Sequence, residues 1–274
     1  MNSTELACIL SIAGTDPSGG AGIGADIKAI SATGGYAASV ITALVAQNTQ
    51  GVQAIQKVSA QFVVQQLDSV FDDMSVAAVK IGMLHEADII EAVCDVLIQR
   101  QAKNIVFDPV MVAKDGSLLL DLSTIDLLKK RLIGLAYLIT PNLFEAEKLF
   151  GQVIKTPFQM EEAACSIGKE FHTNVLIKGG HLENEGALDV LFNVTQTKCH
   201  WFSAKRTFTR NTHGTGCTLS SAIASYLGQG FPLEEAVSLA KDYLTKAIES
   251  GQHFTLGKGN GPVDHFYFLT SRSA

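Results

Sequence analysis

The sequence predicts a single α/β domain of three layers, αβα, with helices covering both faces of a central, mostly parallel sheet. Two observations carry this. Short, continuous apolar runs recur along the chain, separated by segments of helical periodicity, as expected for strands buried on both faces. No composition break, internal repeat or low-complexity stretch divides residues 1–274, so one domain is the economical reading.

In order, Ala7–Ala13 reads as a strand and Ala21–Thr33 as a helix closed by Gly34 and Gly35. Ala37–Ala46 is apolar and partly β-branched. Gln61–Phe71 and Asp88–Arg100 carry helical spacing. Ala77–Ile81, Asn104–Phe107, Ala136–Ile139 and Asn174–Ile177 are short apolar runs bounded by turn signals. Asp189–Asn193 and His200–Phe208 suit an antiparallel edge, and helices follow over Gly216–Leu227 and Leu233–Ser250.

Hydrophobic content of 47% and charged content of 18% describe a globular chain. A net charge of -6 argues against sequence-independent nucleic-acid binding, which needs a basic face, but leaves room for a basic pocket. The five cysteines are widely spaced without a CxxC, so neither a disulfide framework nor a zinc site is implied. Met1–Glu5 is polar and acidic, unlike a secretory leader, and runs such as Leu132–Ile139 are far shorter than the roughly 18 residues of a membrane span. The expectation is a cytoplasmic protein with no membrane partner.

On such sheets ligands sit beyond the carboxyl ends of the strands, and four sets of residues fall there. Gly14-Thr15-Asp16-Pro17-Ser18-Gly19-Gly20-Ala21-Gly22 leads from the first strand into the first helix, where glycines let backbone approach a ligand. A plain glycine-rich turn is the structural alternative. Gly20, Gly22 and Ala25 also fit GxGxxG/A, but their expected place inside the helix and the lack of any acid between Asp26 and Asp68 leave a nicotinamide-binding dehydrogenase a weak reading. No GxxxxGK[ST] occurs, since Gly168-Lys169 precedes Glu170, which excludes a P-loop.

Asn211-Thr212-His213-Gly214-Thr215-Gly216-Cys217 opens a late helix, where successive N–H groups form an anion site. Cys217 falls in its first turn, where the dipole is expected to lower a thiol pKa; a small buried cysteine is the alternative. Asp108 and the Asn142–Glu145 stretch place carboxylates at strand ends, suited to a hydrated Mg²⁺ or to helix capping. Lys178-Gly179-Gly180-His181 offers a cation to phosphates, or only a surface lysine before a turn.

Together these loops, with Thr42–Thr49, Lys80–Leu84, Asp108–Lys114 and Gly259–Phe266, resemble the hydroxymethylpyrimidine/phosphomethylpyrimidine kinases over about residues 7 to 266, in matching order. The resemblance implies a ribokinase-like fold, a homodimer, and ATP with Mg²⁺. It implies phosphorylation of 4-amino-5-hydroxymethyl-2-methylpyrimidine to its monophosphate and then its diphosphate, in thiamine biosynthesis. Gln47, Gly14, Asp26, Val45 and Met83 match positions around the pyrimidine. Lys178, Asn142 and Thr212 match the ATP side, Asp108 and Glu145 the metal side, and Gly214, Gly216 and Cys217 the catalytic anion hole. Cys217 stands where most of the superfamily has an aspartate base, as it does in the pyrimidine kinases themselves, and a base role is favoured over one of shaping the hole. Lys114-Asp115-Gly116 replaces the family's usual Lys-Ser-Gly, and Gly24 its glutamine. A pyridoxal-type or dual-specificity kinase and a non-catalytic ligand-binding protein are the competing readings; the intact set Asp108, Glu145, Lys178 and Gly214–Gly216 weighs against the last.

Overall fold

In a computed structural model, residues 6–111, 121–180 and 186–269 are described. Lys114-Asp115-Gly116 and His181 lie outside them.

The main sheet has eight strands in the order β10-β9-β8-β7-β6-β5-β1-β2. β1 (Cys8–Ala13), β2 (Tyr36–Ile41), β5 (Val76–Ile81), β6 (Ile105–Phe107), β7 (Leu138–Ile139) and β8 (Asn174–Lys178) are mutually parallel. β9 (Gly186–Asn193) and β10 (Lys198–Lys205) add the expected antiparallel edge.

Successive side chains along each strand enter opposite layers. Leu10, Ile12, Val79, Ile81, Phe107, Ile139 and Ile177 pack against α2 (Ala60–Phe71), α3 (Ala87–Gln99), α4 (Leu122–Arg131), α5 (Leu143–Phe150) and α6 (Pro157–Phe171). Ile9, Ala78, Val106, Leu138 and Leu176 face α1 (Gly22–Ala32), α7 (Thr215–Gly228) and α8 (Leu233–Gly251). The run of strands is apolar throughout because both layers are dry. One exception is Lys80 in β5, whose side chain has no exposed surface.

Helix boundaries follow local chemistry. Ser59 caps α2 by accepting from Phe62 N–H, and Thr156 caps α6, with Pro157 at the first helical position. Gly34 after α1 has φ +93°, a conformation that favours glycine. The fold differs from expectation at Ala37–Ala46. The chain leaves the main sheet at Thr42, and β3 (Ala43–Asn48) pairs antiparallel with β4 (Gly51–Lys57) in a separate ribbon. Thr15 fixes the departure: its N–H donates to the Ala43 carbonyl at 3.0 Å, and its hydroxyl accepts from Val45 N–H at 2.9 Å. Gly20 precedes α1 rather than lying within it, and Gly22 is the first helical residue. No described helix is long and apolar enough to cross a membrane.

Candidate active site

The carboxyl ends of β1, β5, β6, β7 and β8 meet the amino end of α7 at one rim. A cavity of about 690 Å³ opens there, lined by Asp108, Asn142, Glu145, Lys178, Thr212, Gly214, Gly216 and Cys217 among others. Gly214 is the N-cap of α7 with φ +75°, and a Cβ on it would overlap the Gly20 carbonyl. The two glycine loops therefore touch backbone to backbone, an approach that any side chain at position 214 would block.

Asp108 accepts from Thr140 Oγ1 at 2.9 Å and from Lys178 Nζ at 2.7 Å. Burial alone would raise its pKa, but Lys178 and then Lys80 outweigh that and hold it below the ordinary carboxylate range. Burial likewise opposes charge on Lys178, and Asp108 and Glu145 overcome it, so its pKa is raised. Glu145 goes the other way. Burial pushes it up to about 7, with Lys178 opposing and Asp108 adding to the rise. The site thus holds one firmly ionised carboxylate and one poised near neutrality.

Glu145 and Asn142 also form a capping box at α5. The Asn142 side chain accepts from Glu145 N–H at 2.9 Å, and the Glu145 carboxylate accepts from Asn142 N–H at 2.8 Å. The cap presents both residues to the cavity. A Cβ on Gly216 would lie 3.3 Å from Asp108 Oδ2 and 3.4 Å from Lys178 Nζ, so the first turn of α7 sits directly over the pair.

Cys217 is the third residue of α7. The expected low thiol pKa is not found. Burial pushes it up to about 11; Lys80 pulls down, Asp26 and Asp108 push up, and a hydrogen bond from the backbone of Gly22 does not compensate. Desolvation outweighs the helix terminus here.

None of the residues matched to the pyrimidine lines this cavity; they gather around the first glycine loop. A Cβ on Gly14 would be 3.7 Å from Val45 Cγ2, and Thr42 Oγ1 lies 3.5 Å from the Met83 carbonyl. Gln47 reaches His213 of the second glycine loop, with 3.4 Å between the carboxamide nitrogen and ring Nε2. Asp26 is placed differently. Its side chain is fully buried, and its carboxylate is taken up by Lys80 Nζ at 2.9 Å, Ser11 Oγ at 2.6 Å and Ser221 Oγ at 2.8 Å. It supports the floor of the site rather than lining it.

Three residues carry weight that sequence reading did not assign. Lys80 sits under Cys217 and Asp108; a lysine inside an otherwise apolar strand was the available signal. Asp16 and His213 pair at 2.7 Å across the two glycine loops. Each stood in plain view within a loop, but nothing in the spacing joins positions so far apart.

Among the described residues, no group of three or more His, Cys, Asp or Glu side chains is placed to hold a metal ion. Mg²⁺ usually keeps several waters and takes one or two carboxylates plus substrate phosphates. Asp108 and Glu145 in one cavity with Lys178 fit that donor set.

The phosphomethylpyrimidine kinase family model matches residues 16–264. A hydroxymethylpyrimidine/phosphomethylpyrimidine kinase of Rhizobium meliloti is 48% identical over 262 residues, covering 95% of this chain and 97% of its own. That of Escherichia coli is 48% identical over 259 residues, covering 94% and 97%. The chain spans about half, 52%, of the Geobacter sulfurreducens thiamine biosynthesis bifunctional protein, to which it is 49% identical. Among solved structures, a phosphomethylpyrimidine kinase of Clostridium difficile aligns with TM-score 0.79 and 42% identity, over 89% of this chain and 100% of that one. An ADP complex of Bacillus subtilis pyridoxal kinase aligns with TM-score 0.88 and 35% identity, over 97% and 99%. Likeness to these kinases runs from the first glycine loop past α8, through every strand end that lines the cavity, and the chain belongs to the phosphomethylpyrimidine kinase family.

Proposed function

We propose that the protein transfers the γ-phosphoryl group of ATP to the hydroxymethyl oxygen of 4-amino-5-hydroxymethyl-2-methylpyrimidine, and then phosphorylates the monophosphate to the diphosphate, as a step in thiamine biosynthesis. The observation that carries this is the placing of Lys178 and Asp108 directly beneath the amino end of α7. Phosphoryl transfer spreads charge over the moving group's oxygens, and catalysis rests on positioning and fixed donors. N–H groups of Gly214–Cys217 and the Lys178 ammonium supply those donors. Lys178, Asn142 and Thr212 face the nucleotide. Asp108 and Glu145 would hold Mg²⁺ through water, and the ion would neutralise phosphate charge when bound.

In the first transfer the substrate oxygen bonds to the γ-phosphorus, the bond from that phosphorus to the β–γ bridging oxygen breaks, and ADP leaves. The hydroxymethyl proton goes to Cys217. With its thiol at about 11, Cys217 is protonated at rest, so it must act from the small thiolate fraction, aided by the Lys80 charge beneath it. Gly14, Val45 and Met83 border the pyrimidine, and Gln47 reads its edge. A carboxamide offers an acceptor and donors in one plane, which complements a 4-amino group beside a ring nitrogen.

A homodimer is supported by the β3–β4 ribbon, which stands off the main sheet and exposes Leu44, Val52 and Ile55. A cytoplasmic setting is supported by the odd number and wide spacing of the cysteines, which carry no CxxC and no secreted-type disulfide framework. Dual specificity is favoured by the close fit to the pyridoxal kinase fold noted above. ADP formation with the pyrimidine, its monophosphate and pyridoxal separates these readings. The pyrimidine is expected to have the highest kcat/KM, and Gln47→Ala to narrow its lead over pyridoxal, which lacks the amino group. A lead held unchanged in Gln47→Ala removes Gln47 as the reader, and no turnover of any pyrimidine removes the proposed function.

A further inference from the structure

Cys165 and Cys199 take no part in the site described above, and neither lines its cavity. Cys165 lies on α6 and Cys199 on β10, and their sulfurs are 3.3 Å apart. The packing around them explains the approach. Cys199 stands opposite Phe192 in the β9–β10 ladder. A Cβ on Gly168, in the turn of α6 that follows Cys165, would run into the Phe192 ring, so the helix settles on the strands there only because position 168 has no side chain. In the turn before Cys165, the Glu161 carboxylate accepts from the Trp201 indole N–H at 2.9 Å. Trp201 leaves β10 on the same face as Cys199. Contacts on both sides of the thiols therefore hold α6 against the β9–β10 hairpin. Each thiol is only partly buried, within reach of a small solute. Among the described residues no third His, Cys, Asp or Glu side chain is placed to complete a metal site with them, so the chemistry left to the pair is thiol–disulfide exchange.

We propose that Cys165 and Cys199 form a reversible disulfide by exchange with a small-molecule disulfide, a crosslink that pins β10, the last strand of the sheet, to α6. Burial, then the hydrogen bond and charge of Cys165, push the Cys199 thiol up to about 12, which makes Cys199 the poorer first nucleophile. Cys165 attacks first. Its thiolate bonds to one sulfur of the small disulfide, expels the other as a thiolate and becomes a mixed disulfide. That step also removes the neighbour that opposed ionisation of Cys199. The Cys199 sulfur then gives up its proton, bonds to the Cys165 sulfur and expels the second small thiolate. Two cysteine thiols are oxidised to one disulfide, one small disulfide is reduced to two thiols, and the two cysteine protons end on those thiols. In a reducing compartment such a bond is transient, made when the small-thiol pool is oxidised and undone when it recovers. β10 leads directly into Lys205–Thr209 of the cavity wall, so the crosslink fixes the strand that carries that wall.

The test incubates the full chain under native conditions with oxidised glutathione and follows intact mass and peptide maps. The expected product has lost two hydrogens, yields a linked peptide joining Cys165 to Cys199, and returns to the starting mass in dithiothreitol. Its Tm is expected to lie about 5 °C or more above that of the reduced protein, because the crosslink restrains the unfolded chain. Cys199→Ser is expected to stop with one glutathione on Cys165, and Cys165→Ser to take up glutathione at Cys199 about tenfold or more slowly. Both cysteines left as thiols, both carrying separate glutathiones, or a crosslink to any other cysteine overturns the proposal. An oxidised form less stable than the reduced one also overturns it, since the native packing would then have to break for the bond to close. Equal uptake by the two serine variants removes Cys165 as the first nucleophile.

Discussion

Removing both charges of the Lys80–Asp26 pair is expected to destabilise the protein much less than the sum of removing each alone. The two side chains have no exposed surface and meet at 2.9 Å. At an effective dielectric near 20 their attraction is about 6 kcal/mol, most of which offsets their loss of hydration. Losing one partner keeps the desolvation and forfeits the attraction, which typically costs about 3–5 kcal/mol. Asp26→Asn keeps the shape and the Ser11 and Ser221 contacts while stranding the ammonium. Lys80→Met keeps the stem and strands the carboxylate, softened by the two serine hydroxyls. The double variant leaves only a neutral amide held by serines, so its loss is expected to fall short of the summed single losses by at least about 2 kcal/mol. Equilibrium denaturant unfolding followed by circular dichroism measures all three. For a chain of this length each single variant also lowers Tm by about 5–10 °C. Burial opposes charge on Lys80, but Asp26, then Cys217 and Asp108, outweigh it and raise its pKa above the ordinary 10.5. The lysine's contribution is therefore complete below that value and fades only as pH climbs through the higher folded one, so the penalty stays constant across the neutral range. Single losses under about 1 kcal/mol, or a double loss equal to their sum, would refute the reasoning.

Four further outcomes are expected. Because the Cys217 thiol stands at about 11, its thiolate grows about tenfold per pH unit above neutrality, so the first phosphorylation rises with pH in the wild type and loses that rise in Cys217→Ser. The second, whose phosphate nucleophile is already ionised, is hurt less by Cys217→Ala; equal loss in both steps assigns Cys217 to the anion hole alone. Glu145→Gln is expected to lose Mg·ATP use and to recover part of it in excess Mg²⁺, and a wild-type Mg²⁺ titration in that variant counts against the metal-side assignment. Gly214→Ala forces a left-handed position and drives the two glycine loops apart, so kcat is expected to drop by about 10²-fold or more; near-normal turnover shows the loops need not touch. Ile55→Glu is expected to shift the protein from dimer to monomer by sedimentation, and a wild-type monomer ends that proposal.

Much of the architecture was legible because the central strands of the main sheet are buried on both faces and so show as continuous apolar runs. Where burial is one-sided or absent, the signal fails. β4 is exposed along its whole length, so periodicity is silent there, and the split at Thr42 depends on Thr15, far away in the chain. Three helices, α4, α5 and α6, went unassigned, although Thr156-Pro157 and the Asn142–Glu145 box are start signals. Asp108, Asn142, Glu145, Lys178 and the Asn211–Cys217 loop were legible as segments following strands, and they converge on one cavity. Asp26 was assigned to the ligand by resemblance, yet three buried partners claim it. Cys217 shows the limit of local rules: a helix terminus is visible in sequence, whereas the desolvation that overrides it comes from packing.

The loop that opens α7 is held by chain made well after it. Asn211 Nδ2 donates to the carbonyls of Gly251 and Phe254, each at 2.8 Å, and His213 N–H binds the Gly261 carbonyl. Synthesis runs at about 5–20 residues per second, so the chain from Asn211 to Gly261 takes some seconds to emerge from the ribosome. Through that interval the loop has its contacts to Gly20 and Asp16 available but lacks the three bonds from the later chain. A chain that stops short of Gly261 therefore lacks the bond that fixes the His213 backbone, so the loop's final geometry is set only when the last part of the domain has been made.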